Sequence, residues 1–265
     1  MPPELSAFNP EYLKVFAVIF CLAMAAPGML YILRRRTIGR QSGPRKLLSS
    51  EIFSLFASLY AFFLGFSIVT LWGCFVSAKN VVNAEAGAVL TTARMSVPLD
   101  RSEPFRQALA VYVRSVIEDE WPAMDNGDAM SERSSELFAD VWNAYYAMKP
   151  ADKDSWSQYS GVGQSLAEVN RQRFSRSQTL SGNLFPPIWV VLGFGLVGVF
   201  AGLLLTNPEQ TATMVLMEII VAFMVFSCVY LISDLSTPFS GALSVGPSPF
   251  QDVYARMLAM PGPAG

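Results

Sequence analysis

Apolar and polar positions alternate along this chain in blocks rather than residue by residue. Four long apolar stretches run Tyr12–Leu33, Ile52–Val76, Ile188–Thr206 and Thr213–Ser233. Each is long enough to cross a hydrocarbon layer of about 30 Å as a helix. In lipid the backbone must satisfy its own hydrogen bonds, which a segment of this kind does only as a helix. The pattern predicts an all-α membrane protein with four transmembrane helices in two hairpins and a helical soluble insert between spans two and three. The expected divisions are an N-terminal transmembrane hairpin (1–77), the insert (78–185), a C-terminal transmembrane hairpin (186–235) and a tail (236–265). Pro27-Gly28 near the end of span one predicts a kink or an early exit.

Between spans two and three the period becomes that of amphipathic helices. The second span continues past Lys79 without a breaker until Pro98 through an Ala-rich run that favours helix. A second helix opens near Ser102 with Pro104 in its first turn, and Phe105, Leu109, Tyr112, Val113, Val116 and Ile117 form its stripe. Asp125-Asn126-Gly127-Asp128 reads as a turn, with no residue in place to complete a calcium loop. A third helix starts at Ser131 with Leu137, Phe138, Val141, Trp142 and Tyr145 on one face, and Pro150 ends it. A fourth runs from about Asp154 to Leu180, before Pro186-Pro187 restarts the chain as span three. No alternating strand pattern and no internal repeat stands out.

Composition narrows the chemistry. Residues are 52% hydrophobic and 15% charged, and the net charge of −2 gives no basis for nucleic-acid binding. Histidine is absent, which removes the commonest metal ligand and the usual general base near neutral pH. Cys21, Cys74 and Cys228 all fall within spans and lack metal-ligand spacing, so they read as small packing residues. No Ser or Cys nucleophile stands beside a base and no phosphate loop is present, so no enzymatic activity is expected and no cofactor or metal is called for. Met1–Pro10 carries Glu4 and no basic residue, so the first span reads as a retained helix rather than a signal peptide.

Charge also bears on orientation. The link between spans one and two holds Arg34, Arg35, Arg36, Arg40, Arg45 and Lys46 with no acid before Glu51, and short loops this basic stay in the cytoplasm. An even number of spans then places both termini and the insert outside the cytoplasm of an inner (cell) membrane, with residues 34–50 inside. The link Asn207–Gln210 has no Lys or Arg. Lys79, Arg94, Arg171, Arg173 and Arg176 on the insert side vote the other way. Trp72, Trp189 and Tyr230 fall at insert-side ends of spans, as in an interfacial aromatic belt.

Glu218 is the sharpest candidate for function. It lies about two turns inside the apolar run of span four, where a carboxylate is costly and usually faces a protein interior or a water-filled path. It either serves an ion pathway, or lies near enough to the interface to snorkel or to pair with a neighbouring helix. Glu85 sits on a face of small residues in the extension of span two. If that helix packs against the one leading into span three, Glu85 pairs with Arg171, Arg173 or Arg176; otherwise these charges form a solvated face. Span two carries a small and polar set, Ser54, Ser58, Gly65, Ser67, Thr70 and Gly73, that either lines a pore or packs on the other spans. Gly198 and Gly202 in span three allow close helix approach. Trp121, Trp142 and Trp156 either anchor a partner or belong to the insert core.

After span four the chain reads Asp234-Leu-Ser-Thr-Pro238-Phe239-Ser240-Gly241-Ala-Leu-Ser-Val-Gly-Pro247-Ser-Pro249-Phe250. This resembles the closing motif of the bestrophin-like domain family, as do the Glu85-Ala86 segment, the stretch ending Glu120-Trp121-Pro122 and the two-plus-two span layout. The resemblance covers about residues 50–252. It implies kinship with bestrophins, which are pentameric, calcium-gated anion channels with four spans per subunit and cytoplasmic soluble helices. The implied orientation is opposite to that read from the basic loop. No acid follows Phe239 until Asp252, so the sequence lacks a calcium clasp. On the residues themselves, Asp234 ends the span at the interface, Pro238 stops the helix and Gly241 permits a tight turn.

Two functions remain in view. One is an oligomeric ion channel of bestrophin-like type, anions favoured by the resemblance, with the small and polar face of span two lining the path. The other is a non-conducting membrane scaffold or sensor that binds a partner through its helical insert. The expected partners are the lipid bilayer, further copies of the chain and, in the first case, ions.

Overall fold

The computed structural model describes residues 10–37, 45–126, 130–150, 155–180, 186–206 and 212–260. Among them every regular element is helical: α1 (Pro10–Thr37), α2 (Arg45–Ser96), α3 (Ser102–Ser115), a π-helical turn (Val116–Glu120), α4 (Trp121–Asp125), α5 (Glu132–Ala147), α6 (Trp156–Leu180), α7 (Pro186–Thr206), α8 (Ala212–Leu235) and α9 (Ser248–Leu258). Four helices, α1, α2, α7 and α8, are long and apolar enough to cross a membrane. The all-α, four-span expectation therefore holds. The part of the basic link at 38–44, residues 127–129 of the expected turn and the link at 207–210 lie outside the described residues.

The chain folds as two compact units. The first comprises residues 1–72 and 184–236, and the second 73–183 and 237–265. Helix α2 belongs to both. Its 52 residues carry no break, and at about 1.5 Å per residue they extend about 78 Å, more than twice a hydrocarbon layer.

In the first unit α1 packs along α8, and Ala23, Ala26 and Ala222 are buried between Phe200, Ile219, Phe223 and Phe226. Of the two outcomes expected at Pro27-Gly28, a kink or an early exit, the early exit does not occur, for α1 stays helical through Pro27 to Thr37. A membrane-spanning helix tolerates proline because neighbouring groups satisfy the freed carbonyl. Tyr60 on α2 donates its hydroxyl to the Leu192 carbonyl of α7 at 3.0 Å.

The second unit is a helical bundle whose core runs from Ala78, Val82 and Val89 on α2 through Phe105, Leu109 and Val113 on α3 to Val141, Val162 and Leu166 on α5 and α6. Pro98 cannot continue α2, and the chain turns into α3 through Arg101, which takes a left-handed φ of 59°. The second insert helix, expected as one stripe through Ile117, instead changes pitch. α3 ends at Ser115 and gives way to a π-helical turn just before Trp121-Pro122. Pro122 has no N–H to donate and its ring crowds the carbonyl four residues back, which favours the wider turn. Helix α9 lies in the tail, for which the sequence pattern assigned no helix. Pro249 falls in its first turn, where proline is tolerated.

Candidate functional site

The second unit encloses a charged cluster. Small residues on α2 make it possible: Ala78, Val82, Ala86 and Val89 are all nearly inaccessible, so α2 lies close against its neighbours, and Glu85 is carried inward with them. Glu85, Glu120 and Arg176 are all fully buried. From α6, Arg176 meets Glu85 as a fork, with Nε donating to Oε2 at 2.7 Å and Nη2 to Oε1 at 3.1 Å. Its Nη1 stands 2.8 Å from Glu120 Oε1 and donates to the Met124 sulfur at 3.3 Å. The Tyr112 hydroxyl donates to Glu85 Oε1 at 3.1 Å.

The surroundings are aromatic. The Arg176 guanidinium lies 5.3 Å from the Trp121 ring centre and 5.8 Å from that of Phe250. Arg173, one turn earlier on α6, lies over Tyr112 and Phe138, donates to the Ser135 hydroxyl at 2.8 Å and approaches Glu120 Oε2 at 3.9 Å. Such stacking favours an arginine whose charge has left water. Burial works against the charge of Arg176 and is the largest single influence on it. The facing carboxylates of Glu85 and Glu120 outweigh it, and the guanidinium's pKa stands above its ordinary value. Tyr112 is pushed well up, first by burial and then by the negative charge of Glu85. Its phenol therefore stays a donor to Glu85.

The two acids are held differently. Glu85 accepts three hydrogen bonds, whereas neither oxygen of Glu120 has a hydrogen bond of good geometry. Glu120 is held by charge alone, from Arg176 and more distantly from Arg173.

The tail closes over this cluster. Pro238 and Phe239 are buried, the Val245 N–H donates to the Pro238 carbonyl at 2.8 Å, and Gly241 turns the chain with φ 95°. Trp121 donates its indole N–H to the Val245 carbonyl at 3.0 Å and packs against both Phe239 and Phe250. Ser240 is half-buried, and its N–H donates to the Thr237 carbonyl. Asp234 is buried in the last turn of α8.

Of the expected charge partners, then, Arg176 reaches Glu85, Arg173 lies beside Glu120, and Arg171 is 72% exposed and pairs with Glu168 on its own helix. The alternative of a solvated charged face is overturned for Glu85, because the small residues around it draw it into the core. Sequence reasoning missed Glu120 as the third member and Tyr112 as a donor. An acid on the line of the α3 stripe was the available signal, but the π turn that delivers it was not foreseen.

The pore candidates on α2 do not share one side. Ser58, Gly65 and Thr70 are exposed in the single chain, whereas Ser67 is buried and its hydroxyl donates to the Phe63 carbonyl. Nine residues separate Ser58 from Ser67, about two and a half turns, so they point in opposite directions. Glu218 is buried on α8 one turn before Ala222, on the side packed against α1. Trp121 is a core residue, Trp142 is half-buried and Trp156 is exposed, with the Lys149 ammonium 5.6 Å from its ring. Among the described residues no three His, Cys, Asp or Glu side chains gather as a metal site, and the three cysteines are free.

The sequence matches the Bestrophin-like domain over residues 19–250. The chain belongs to the Bestrophin-like family. The fold is that of a bacterial bestrophin homologue from Klebsiella pneumoniae, 15% identical, with a TM-score of 0.68 over 94% of this chain and 97% of that one. A point variant of that homologue gives 16% identity and a TM-score of 0.65 over 93% and 98%. A further solved structure, described as a membrane protein, gives 15% and 0.68 over 96% and 98%. No curated protein matches. This Bestrophin-like chain therefore carries the family's four-span helical architecture on a sequence far from those homologues, and its buried Glu85–Arg176–Glu120 cluster lies within the matched region.

Proposed function

We propose that this Bestrophin-like chain is one subunit of an ion-conducting oligomer in the inner membrane, with anions favoured and no calcium clasp. The observation that carries the reading is the outward side of α2. Along the span it is lined by exposed side chains, Phe62 at 75% and Val69 at 71% among them, with Ser58 and Gly65 alongside. In the second unit α2 exposes Asn80, Gly87 and Thr91, opposite the buried Glu85. A ring of copies that turns this side inward would line a path with apolar residues in the membrane and small, polar ones beyond it. Apolar constrictions and polar rings are the elements from which ion paths gate and select. In this arrangement Ser58 and Gly65 border the path, Ser67 and Thr70 lie away from its centre, and Glu218 acts on it from within the α1–α8 packing. The basic link at 34–50 supports a cytoplasmic placement for that link and an extracytoplasmic insert. The chemistry is transport rather than catalysis.

The test is recording from purified protein in planar bilayers under a chloride gradient, with a Ser58→Cys variant in a background without Cys21, Cys74 and Cys228. Discrete currents that a charged thiol reagent alters only in the variant support the reading. Silence from folded protein at all voltages and salts would leave the scaffold reading, which the exposed Tyr146 and Trp156 on the insert favour.

A further inference from the structure

We infer that the buried Glu85–Arg176–Glu120 network is a register device, which fixes where α2 stands along and around its own axis against α3, α6 and the π turn. The face that α2 turns into the second unit is mostly small and aliphatic, Ala78, Val82, Ala86, Val89 and Ala93, with Thr92 and Ser96 buried beside them and the Thr92 hydroxyl donating to that of Ser165 on α6. Small aliphatic side chains at helical spacing give an almost smooth ridge. A shift by one turn exchanges Ala for Val or Val for Ala at most of these contacts, so packing on this face discriminates between registers less than large, shape-specific side chains would. Apolar burial on this face of the second unit therefore distinguishes the observed register from its neighbours only weakly.

Glu85 does distinguish them. It is the one charged residue on that face, and it meets a guanidinium whose fork requires both carboxylate oxygens in place. Tyr112 adds a third donor from another helix. A shift of one turn, about 5.4 Å, would leave Arg176 without Glu85 inside a dry core and Glu85 without its donors. Buried ion pairs contribute little net stability against apolar replacements, and their best-attested use is to specify one arrangement among several. Glu120 and the rings of Trp121 and Phe250 hold Arg176 in position for that role.

The test uses a disulfide as a ruler. The Thr92 and Ser165 hydroxyls, on α2 and α6, lie 2.8 Å apart. In a background without Cys21, Cys74 and Cys228, the pair Thr92→Cys/Ser165→Cys reports the observed register. Ala88→Cys or Ser96→Cys, each with Ser165→Cys, reports a shift of one turn either way. Crosslinking is measured in membranes on the full chain, with the network intact or replaced by Glu85→Leu, Glu120→Leu and Arg176→Met together. The expected result is a folded triple variant in which the Thr92 pair crosslinks severalfold less and a neighbouring pair severalfold more. Arg176→Lys is measured beside it, since lysine keeps the charge and loses the fork, and it should show the same change to a lesser degree. Folded variants that keep the wild-type crosslinking pattern would overturn the inference. So would failure of both variants to fold, because the network would then be holding the fold together rather than choosing its register. The readout does not depend on conduction, so a silent protein leaves the test intact.

Discussion

A single arginine concentrates the electrostatics of the second unit. Removing one partner of a buried pair leaves the other charge uncompensated, so Arg176→Met alone should cost about 3–5 kcal/mol. Arg171→Ala, at an exposed site, should stay within about 0.5 kcal/mol. Denaturant unfolding of the two variants beside the parent checks the contrast, and equal costs would contradict the burial of Arg176. Tyr112 gives a prediction that depends on pH. Its pKa is raised well above the ordinary 10.0. Below that value the phenol is neutral whether the chain is folded or not, and its contribution is complete. Above it the unfolded phenol loses its proton first, so stability falls as pH rises. Tyr112→Phe should remove this part of the alkaline loss and cost about 1–3 kcal/mol near neutrality through the hydrogen bond to Glu85. Melting temperatures of both proteins between neutral and strongly alkaline pH decide it, and parallel curves would exclude Tyr112 as the source. Half of the cluster was legible in the sequence. Glu85 among small residues and the arginines before span three named a pair. Glu120 was legible only as an acid on the line of the α3 stripe, because nothing in the pattern announced the π turn that delivers it to Arg176.

Elements show the same division between what spacing announces and what packing decides. Gly198 and Gly202 announced a close approach to α7, but what comes close is aromatic. A Cβ at Gly195, Gly198 or Gly202 would run into the rings of Tyr60, Phe56 and Phe53 of α2, respectively. Glycine here leaves room for rings rather than for a neighbouring backbone. Gly198→Val should therefore destabilise the first unit by about 1–3 kcal/mol through overpacking, and Phe56→Ala in the same chain should recover part of the loss. Melting in detergent of the two single variants and the double variant measures the coupling, and strict additivity would place the ring elsewhere. In the tail, a left-handed backbone is required at Gly241. Gly241→Ala should cost about 1–2 kcal/mol, read as a lowered melting temperature of the full chain. The breaker role of Pro238 was plain from sequence. Helix α9 was hidden because Pro247 and Pro249 look like interruptions until one of them falls in a first turn.

At the scale of the whole molecule, one helix decides most of what is proposed. The length of α2 could be read directly, since no breaker stands between Ile52 and Pro98. Which side of it turns outward could not, because an apolar span and an Ala-rich extension carry almost no moment of their own. The buried Glu85 settles the side within the second unit, and Asn80, Gly87 and Thr91 then face away from the core. If copies of the chain gather with that side inward, Thr91 repeats once per subunit around a common path. A charge placed there would be multiplied by the number of copies and concentrated where field lines converge. Thr91→Lys should then raise chloride permeability relative to potassium, and Thr91→Glu should lower it. The reversal potentials under a potassium chloride gradient should move in opposite directions from the parent value. A charge outside the path acts on conduction only through stability or folding, which shifts current size for all ions alike. Arg94, on the same exposed side and one turn further on, provides the internal comparison, since Arg94→Gln should move the potential in the direction of Thr91→Glu. Reversal potentials that stay at the parent value in all three variants, with currents intact, would move the path off this side of α2 while leaving the protein a channel.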